Sequence, residues 1–147
     1  MKAQRDRSQG RRLLTIMLVD DDMQFAAEMR SILSGRYGVL LESGSCQALT
    51  RLRELPIDMA IVDADLPPFL GPYSYDEGLI LTRLLSDYHT IPTVVISNSN
   101  DEALYREAMR AGAVAIEMKE NLGPERLCRL VERHCGTHTE VVQRGGS

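Results

Sequence analysis

The sequence contains no run of eighteen apolar residues, so it offers no membrane-spanning helix. It has three cysteines, Cys46, Cys128 and Cys135. So sparse and odd a set excludes a disulfide scaffold and suits a reducing compartment; the expected location is the cytoplasm. The first twelve residues are polar and basic and lack the apolar centre of a signal peptide, which argues against secretion. Apolar residues make up 44% and charged residues 26% of the chain. These ordinary values exclude disorder, collagen and coiled coil as descriptions of the whole. A length of 147 residues suits one domain with a sizeable core.

Positive charge is scarce outside the amino-terminal arm. Residues 1–12 carry five of the seventeen basic groups and one of the twenty-one acids, leaving +4 on the arm and −8 on the rest. A body so acidic is a poor binder of bare nucleic acid, because phosphate contacts need clustered Lys and Arg; no direct nucleic-acid binding is expected. The arm, 1–12, reads as a disordered basic leader. The segment 135–147, rich in Gly, Thr and Ser, reads as a tail or linker, and 13–134 as the domain.

Within that body, short apolar runs alternate with segments of helical period. Leu13 to Val19, Val39 to Leu41, Ile57 to Val62, Thr93 to Ile96 and Ala113 to Ile116 read as strands. Helices follow each: Met23 to Leu33, a segment opened by Ser45, a third around Leu79 to Leu85, Asp101 to Ala111, and Gly123-Pro124 to His134. Five βα units imply a parallel sheet covered by helices on both faces. In such sheets the site lies beyond the carboxyl ends of the strands.

The residues at those ends are chemically pointed. The first strand ends in Asp20-Asp21-Asp22. The third ends in Asp63, with Asp65 two residues on. Ser97 closes the fourth, and Lys119 lies just past the fifth. Taken singly each has a plain structural role, Asp22 as a helix cap among them. Taken together, clustered carboxylates repel one another and call for a cation. Mg²⁺ takes such hard oxygen ligands. An Asp carboxylate is also a nucleophile able to form an aspartyl-phosphate. A Lys and a hydroxyl supply the charge neutralisation that phosphoryl transfer needs.

Here the sequence resembles the receiver domain of two-component response regulators, over about residues 13–134. IMLVDDD is similar to the family's opening strand and acidic pair, placing Asp20 and Asp21 there. IDMAIVDADLP, with Asp58 five before Asp63 and Pro67 four after, is similar to its phosphoacceptor strand. PTVVIS places Ser97 at the family's Thr/Ser position, and AGAVAIEMK places Lys119 seven after Gly112. The resemblance implies a flavodoxin-like (βα)5 fold, doubly wound, with a five-stranded parallel sheet in the order 2-1-3-4-5. It implies that Asp63 accepts a phosphoryl group from a sensor histidine kinase or histidine phosphotransfer protein. It implies Mg²⁺ held by Asp21, Asp63 and the backbone carbonyl of Asp65, with Asp20 acting through water. Ser97 and Lys119 complete the site. Output, or a homodimer, is expected through helix 4, strand 5 and helix 5. The chain is then a phosphoacceptor and not an enzyme with an external substrate.

Three features depart from the family pattern. Ile116 stands where an aromatic is usual. Glu120 follows Lys119 where Pro is usual, so a trans bond is expected there. The loop from Pro67 to Gly78 is long and carries Phe69, Tyr73 and Tyr75, which are expected to shield Asp63 or meet the donor. Two other functions compete. A receiver-like module that is never phosphorylated should have lost an acid, the hydroxyl or the Lys, and none is lost. Asp63-Ala-Asp65 is also similar to the paired Asp of haloacid-dehalogenase phosphatases, but that family opens on its nucleophile strand and ends on its acidic pair, the reverse order. A metal site from Cys128, His134, Cys135 and His138 lacks a CxxC pair.

Overall fold

The computed structural model describes residues 5–6, 11–67, 77–99, 101–135 and 139–141. The chain runs β1 (Arg5–Asp6), β2 (Arg11–Leu13), β3 (Thr15–Val19), α1 (Met23–Leu33), β4 (Gly38–Glu42), α2 (Ser45–Glu54), β5 (Met59–Asp63), α3 (Glu77–Asp87), β6 (Thr93–Ser97), α4 (Glu102–Arg110) and β7 (Ala115–Met118). A single 3-10 turn over Lys119–Asn121 leads to α5 (Pro124–Cys135), and β8 (Thr139–Val141) closes the order. The five parallel strands lie in the order β4-β3-β5-β6-β7. Counted among themselves that is 2-1-3-4-5, the flavodoxin-like arrangement.

The sheet is buried on both faces, which is why its strands read as continuous apolar runs. Successive side chains of each central strand go to opposite layers. Ile16, Leu18, Met59, Ile61, Val94 and Ile96 pack with Met29, Leu33, Leu127 and Val131 of α1 and α5. Met17, Val19, Ala60 and Val62 pack with Ala48 of α2 and Leu81 and Leu85 of α3. Val95 joins Ala108 of α4 and the partly buried Ile116.

Register is pinned at the edge of the sheet opposite the acidic strand ends. The Thr15 N–H donates to Asp58 Oδ2 at 2.7 Å, and the Asp58 N–H donates to the Thr15 carbonyl at 2.8 Å. Asp58 therefore serves the β3–β5 alignment, at the far end of β5 from Asp63.

Three differences from the sequence reading stand out. The apolar run from Leu13 is split: Leu13 belongs to β2, which pairs with β1 and β8 in a small antiparallel sheet, so short strands occur in the segments read as arm and tail. Ser45 is the first residue of α2 and not its cap; Gly44 is the cap, and the Ser45 hydroxyl donates to the buried Glu77 carboxylate. The last sheet strand is Ala115–Met118, two residues later than expected, because β7 is an edge strand whose residues are only half-buried. The start of α1 behaves as read, with Asp22 as its cap; α4 starts at Glu102, and Asp101 is its cap. Asp22 accepts from the Phe25 N–H at 3.1 Å and Asp101 from the Ala103 N–H at 2.9 Å. Asp22→Ala should cost about 1 kcal/mol of stability, the usual loss for an N-cap carboxylate, read from the urea midpoint.

The peptide bond between Lys119 and Glu120 is trans, as is every bond among the described residues. The expectation for Phe69, Tyr73 and Tyr75 lies outside the described residues, as does that for His138.

Candidate functional site

Each acid of the Asp20-Asp21-Asp22 run does a different job. β3 ends at Val19, so the chain leaves the sheet with Asp20 still against its edge, where its N–H donates to the Glu42 carbonyl at 2.9 Å. The Asp20 side chain is buried and its Oδ1 accepts from the Asp22 N–H at 2.9 Å. Asp21 is exposed. Asp22 caps α1. Across the β3–β5 ladder, Asp63 ends β5; the residue is 1% exposed, and its Oδ1 accepts from the Asp65 N–H at 2.9 Å. Carboxylate oxygens of Asp20, Asp21 and Asp63 all lie within 4.8 Å of one another.

Lys119 reaches into this cluster from the turn after β7. Its ammonium stands 2.8 Å from Asp20 Oδ2 and 3.3 Å from Asp63 Oδ2. The Lys119 contact with Asp63 is a hydrogen bond, whereas Asp20 Oδ2, although nearer, is held by the ion pair without a well-aligned hydrogen bond. Ser97 ends β6, fully buried, and its Oγ accepts from the Ser99 N–H at 3.1 Å. The Ser99 hydroxyl lies 3.4 Å from the same Oγ, so the two hydroxyls share a contact in which either can donate.

The electrostatics follow from burial. Burial pushes the Asp63 carboxyl up from its ordinary pKa, and the Asp20 charge adds to this. The Asp65 N–H and the Lys119 ammonium oppose it without cancelling it. Burial works against the Lys119 charge, but the Asp20 and Asp63 carboxylates outweigh it, and its pKa ends above that of an ordinary lysine. Three acids faced by one ammonium leave an excess of negative charge. The donor set is entirely hard oxygen, and one buried oxygen, Asp20 Oδ2, has no hydrogen bond. The residues present therefore fit a hard cation. The Asp65 carboxylate is exposed and outside the three-acid cluster.

Four contacts around the site lie outside the sequence reading. The Phe25 ring lies under the Lys119 ammonium, 5.0 Å from centroid to Nζ. Ser99 holds Ser97. Glu77 opens α3 and accepts from Ser45, tying the starts of α2 and α3 together. Gly78 lies so close to β5 that a Cβ there would be 2.1 Å from the Asp63 carbonyl oxygen. A glycine soon after the acidic strand was the one sequence signal for any of these.

The family model for the response regulator receiver domain matches residues 16–132. The chain belongs to that family, and membership implies a part in phosphorelay signalling. Solved receiver structures share the fold. The CheY-like receiver domain protein of Methanospirillum hungatei JF-1 superposes with a TM-score of 0.72 at 20% identity, over 82% of this chain and 92% of that one. The receiver domain of an HD domain-containing protein from Pseudomonas fluorescens Pf-5 gives 0.73 at 21% identity, over 84% and 94%. That of a modulated diguanylate cyclase from Desulfovibrio desulfuricans G20 gives 0.72 at 22%, over 84% and 94%. No curated protein sequence matches the chain. Among the described residues no helix is long and apolar enough to cross a membrane.

Proposed function

We propose that the chain is a Mg²⁺-dependent phosphoacceptor, taking a phosphoryl group from a phosphohistidine donor onto Asp63. The observation that carries this reading is the Asp63 carboxylate itself. It is buried at a strand end, grouped with two other acids, and 3.3 Å from a lysine ammonium. A buried carboxylate crowded by like charge is a poor structural element and a good nucleophile.

Asp21 and Asp63 would hold the cation, with the Asp65 backbone carbonyl beside them and Asp20 acting through water. When bound, Mg²⁺ neutralises the carboxylates and the phosphoryl oxygens. A carboxylate oxygen of Asp63 bonds to phosphorus as the donor's P–N bond breaks. The electron pair stays on the imidazole nitrogen, and the proton on its other ring nitrogen leaves with it as neutral histidine. The Asp65 N–H fixes the orientation of the carboxylate during this displacement. Lys119 sets its charge against a phosphoryl oxygen, and Ser97 turns its hydroxyl proton from Ser99 to another. Water later cleaves the acyl phosphate and restores Asp63. The chain thus acts as a transient carrier and not as an enzyme with an external substrate.

The output surface in this reading is the face made by α4, β7 and α5. Tyr105, Met109 and Val114 are exposed on or beside it. Beside them a cavity of about 580 Å³ is lined by Glu117, Arg126, Arg129 and Arg133. A sensor histidine kinase or a histidine phosphotransfer protein supplies the phosphoryl group. The partner binding that follows is a shift in population between two forms of this face.

Two tests bear on the roles. Asp21→Ala should weaken Mg²⁺ binding well beyond tenfold by calorimetry, because it removes a ligand charge; unchanged affinity removes Asp21 from the ligand set. Lys119→Ala should leave phosphorylation possible but blunt the amide chemical-shift changes that phosphorylation causes in α4 and β7. Full wild-type shifts in that variant would remove Lys119 from the coupling.

A further inference from the structure

Besides Asp20 and Asp63, the Lys119 ammonium faces the ring of Phe25, 5.0 Å from its centroid. An aromatic face attracts a cation through its quadrupole, most strongly where water is excluded. The Lys119 side chain is only 9% exposed. The ring is itself held. Phe25 is the third residue of α1, its N–H is bound by Asp22, and it packs against the cluster of α1 and α5. Asp22 in turn donates its own N–H to Asp20. One closed circuit of contacts therefore joins Asp20, Asp22, Phe25 and Lys119.

We propose that Phe25 is a positioning residue for Lys119, an inference that rests on Asp63 being the phosphoacceptor. The ring gives the ammonium, beside its pairs with Asp20 and Asp63, a contact that uses no carboxylate oxygen. When a cation takes the acids, the ring keeps the lysine charge beside the phosphoryl position. Without the ring, the ammonium is left to the carboxylates alone. It competes with the cation for the same oxygens and settles on Asp20, at 2.8 Å already the nearer acid.

The test compares Phe25→Leu, which keeps apolar bulk and loses the ring, with Phe25→Tyr, which keeps the ring. In metal-free protein the Lys119 ε-methylene protons should show an upfield ring-current shift in wild type and in the Tyr variant, and lose it in the Leu variant. Mg²⁺ affinity and the rate of phosphorylation by acetyl phosphate should each fall roughly three- to tenfold in Phe25→Leu, with Phe25→Tyr close to wild type. In a Lys119→Met background, Phe25→Leu should change Mg²⁺ affinity no further. Values for Phe25→Leu within about twofold of wild type, or a loss of equal size in the Lys119→Met background, overturn the proposal. A wild type that accepts no phosphoryl group overturns the phosphoacceptor reading, while the ring-current shift and the Mg²⁺ cycle still decide for or against Phe25.

Discussion

Asp63→Asn should gain no phosphate from acetyl phosphate and yet be more stable than wild type in the absence of metal. The first half follows from chemistry, since an amide is no nucleophile for phosphorus. The second follows from burial. The folded Asp63 carboxyl has a raised pKa, because burial and the neighbouring Asp20 charge oppose its ionisation. Between its unfolded and folded pKa values the native state binds more protons than the unfolded one. Stability is therefore full at the acid end of that window and is lost as pH rises through the folded pKa. At neutral pH the wild type carries this loss and the amide does not. One ammonium also no longer has to serve two acids, and Lys119 stays paired with Asp20. The expected gain is on the order of 1 kcal/mol, or about 3–5 °C in melting temperature for a domain of this size. Added Mg²⁺ should stabilise the wild type, by about 1.4 kcal/mol at ten times its dissociation constant. It should stabilise the Asn variant far less. A metal-free Asn variant less stable than wild type would show that Asp63 is well accommodated as a charge, contrary to the geometry.

The second large effect is expected at Gly78. A methyl group there would lie 2.1 Å from the Asp63 carbonyl oxygen, 2.9 Å from the Ala64 Cα and 3.0 Å from the Asp63 carbonyl carbon. All three are backbone atoms at the end of β5, so no side chain can rotate away. Either α3 lifts from the sheet or the Asp63 strand end moves. The first breaks the packing of Leu81 and Leu85 with Val62. The second displaces the carboxylate from Lys119. Gly78→Ala should therefore cost about 3 kcal/mol, at the upper end for an overpacked core site. It should also lower Mg²⁺ affinity, although residue 78 touches no cation. A urea midpoint within 0.5 kcal/mol of wild type, the range of an ordinary surface change, would show that α3 has slack at its start.

The strand ends were legible because parallel strands buried on both faces leave polar residues standing directly after unbroken apolar runs. Asp20, Asp63 and Ser97 each follow such a run, and the structure places each buried at the carboxyl edge. Asp22 was legible as a cap because that role depends only on the next three residues. Reading failed where burial is partial or a partner is distant in sequence. β7 is an edge strand with half-buried residues, so its apolar pattern is weak and Glu117 looked like its end. Glu117 is part of the strand and pairs with Arg126 of α5 at 2.7 Å. Ser45 has the composition of a cap, but its hydroxyl is taken by Glu77, thirty-two residues away. The seat of Lys119 on Phe25 depends on two elements at opposite ends of the chain, and no local pattern announces it.

The most direct measurement is the intact mass of the wild-type chain after incubation with acetyl phosphate, with and without Mg²⁺, followed by mapping of the modified residue. The account predicts the mass of one phosphoryl group gained with Mg²⁺, little or none with chelator, and the modification on Asp63. A chain that gains no phosphoryl group under any of these conditions, or gains it on another residue, contradicts it.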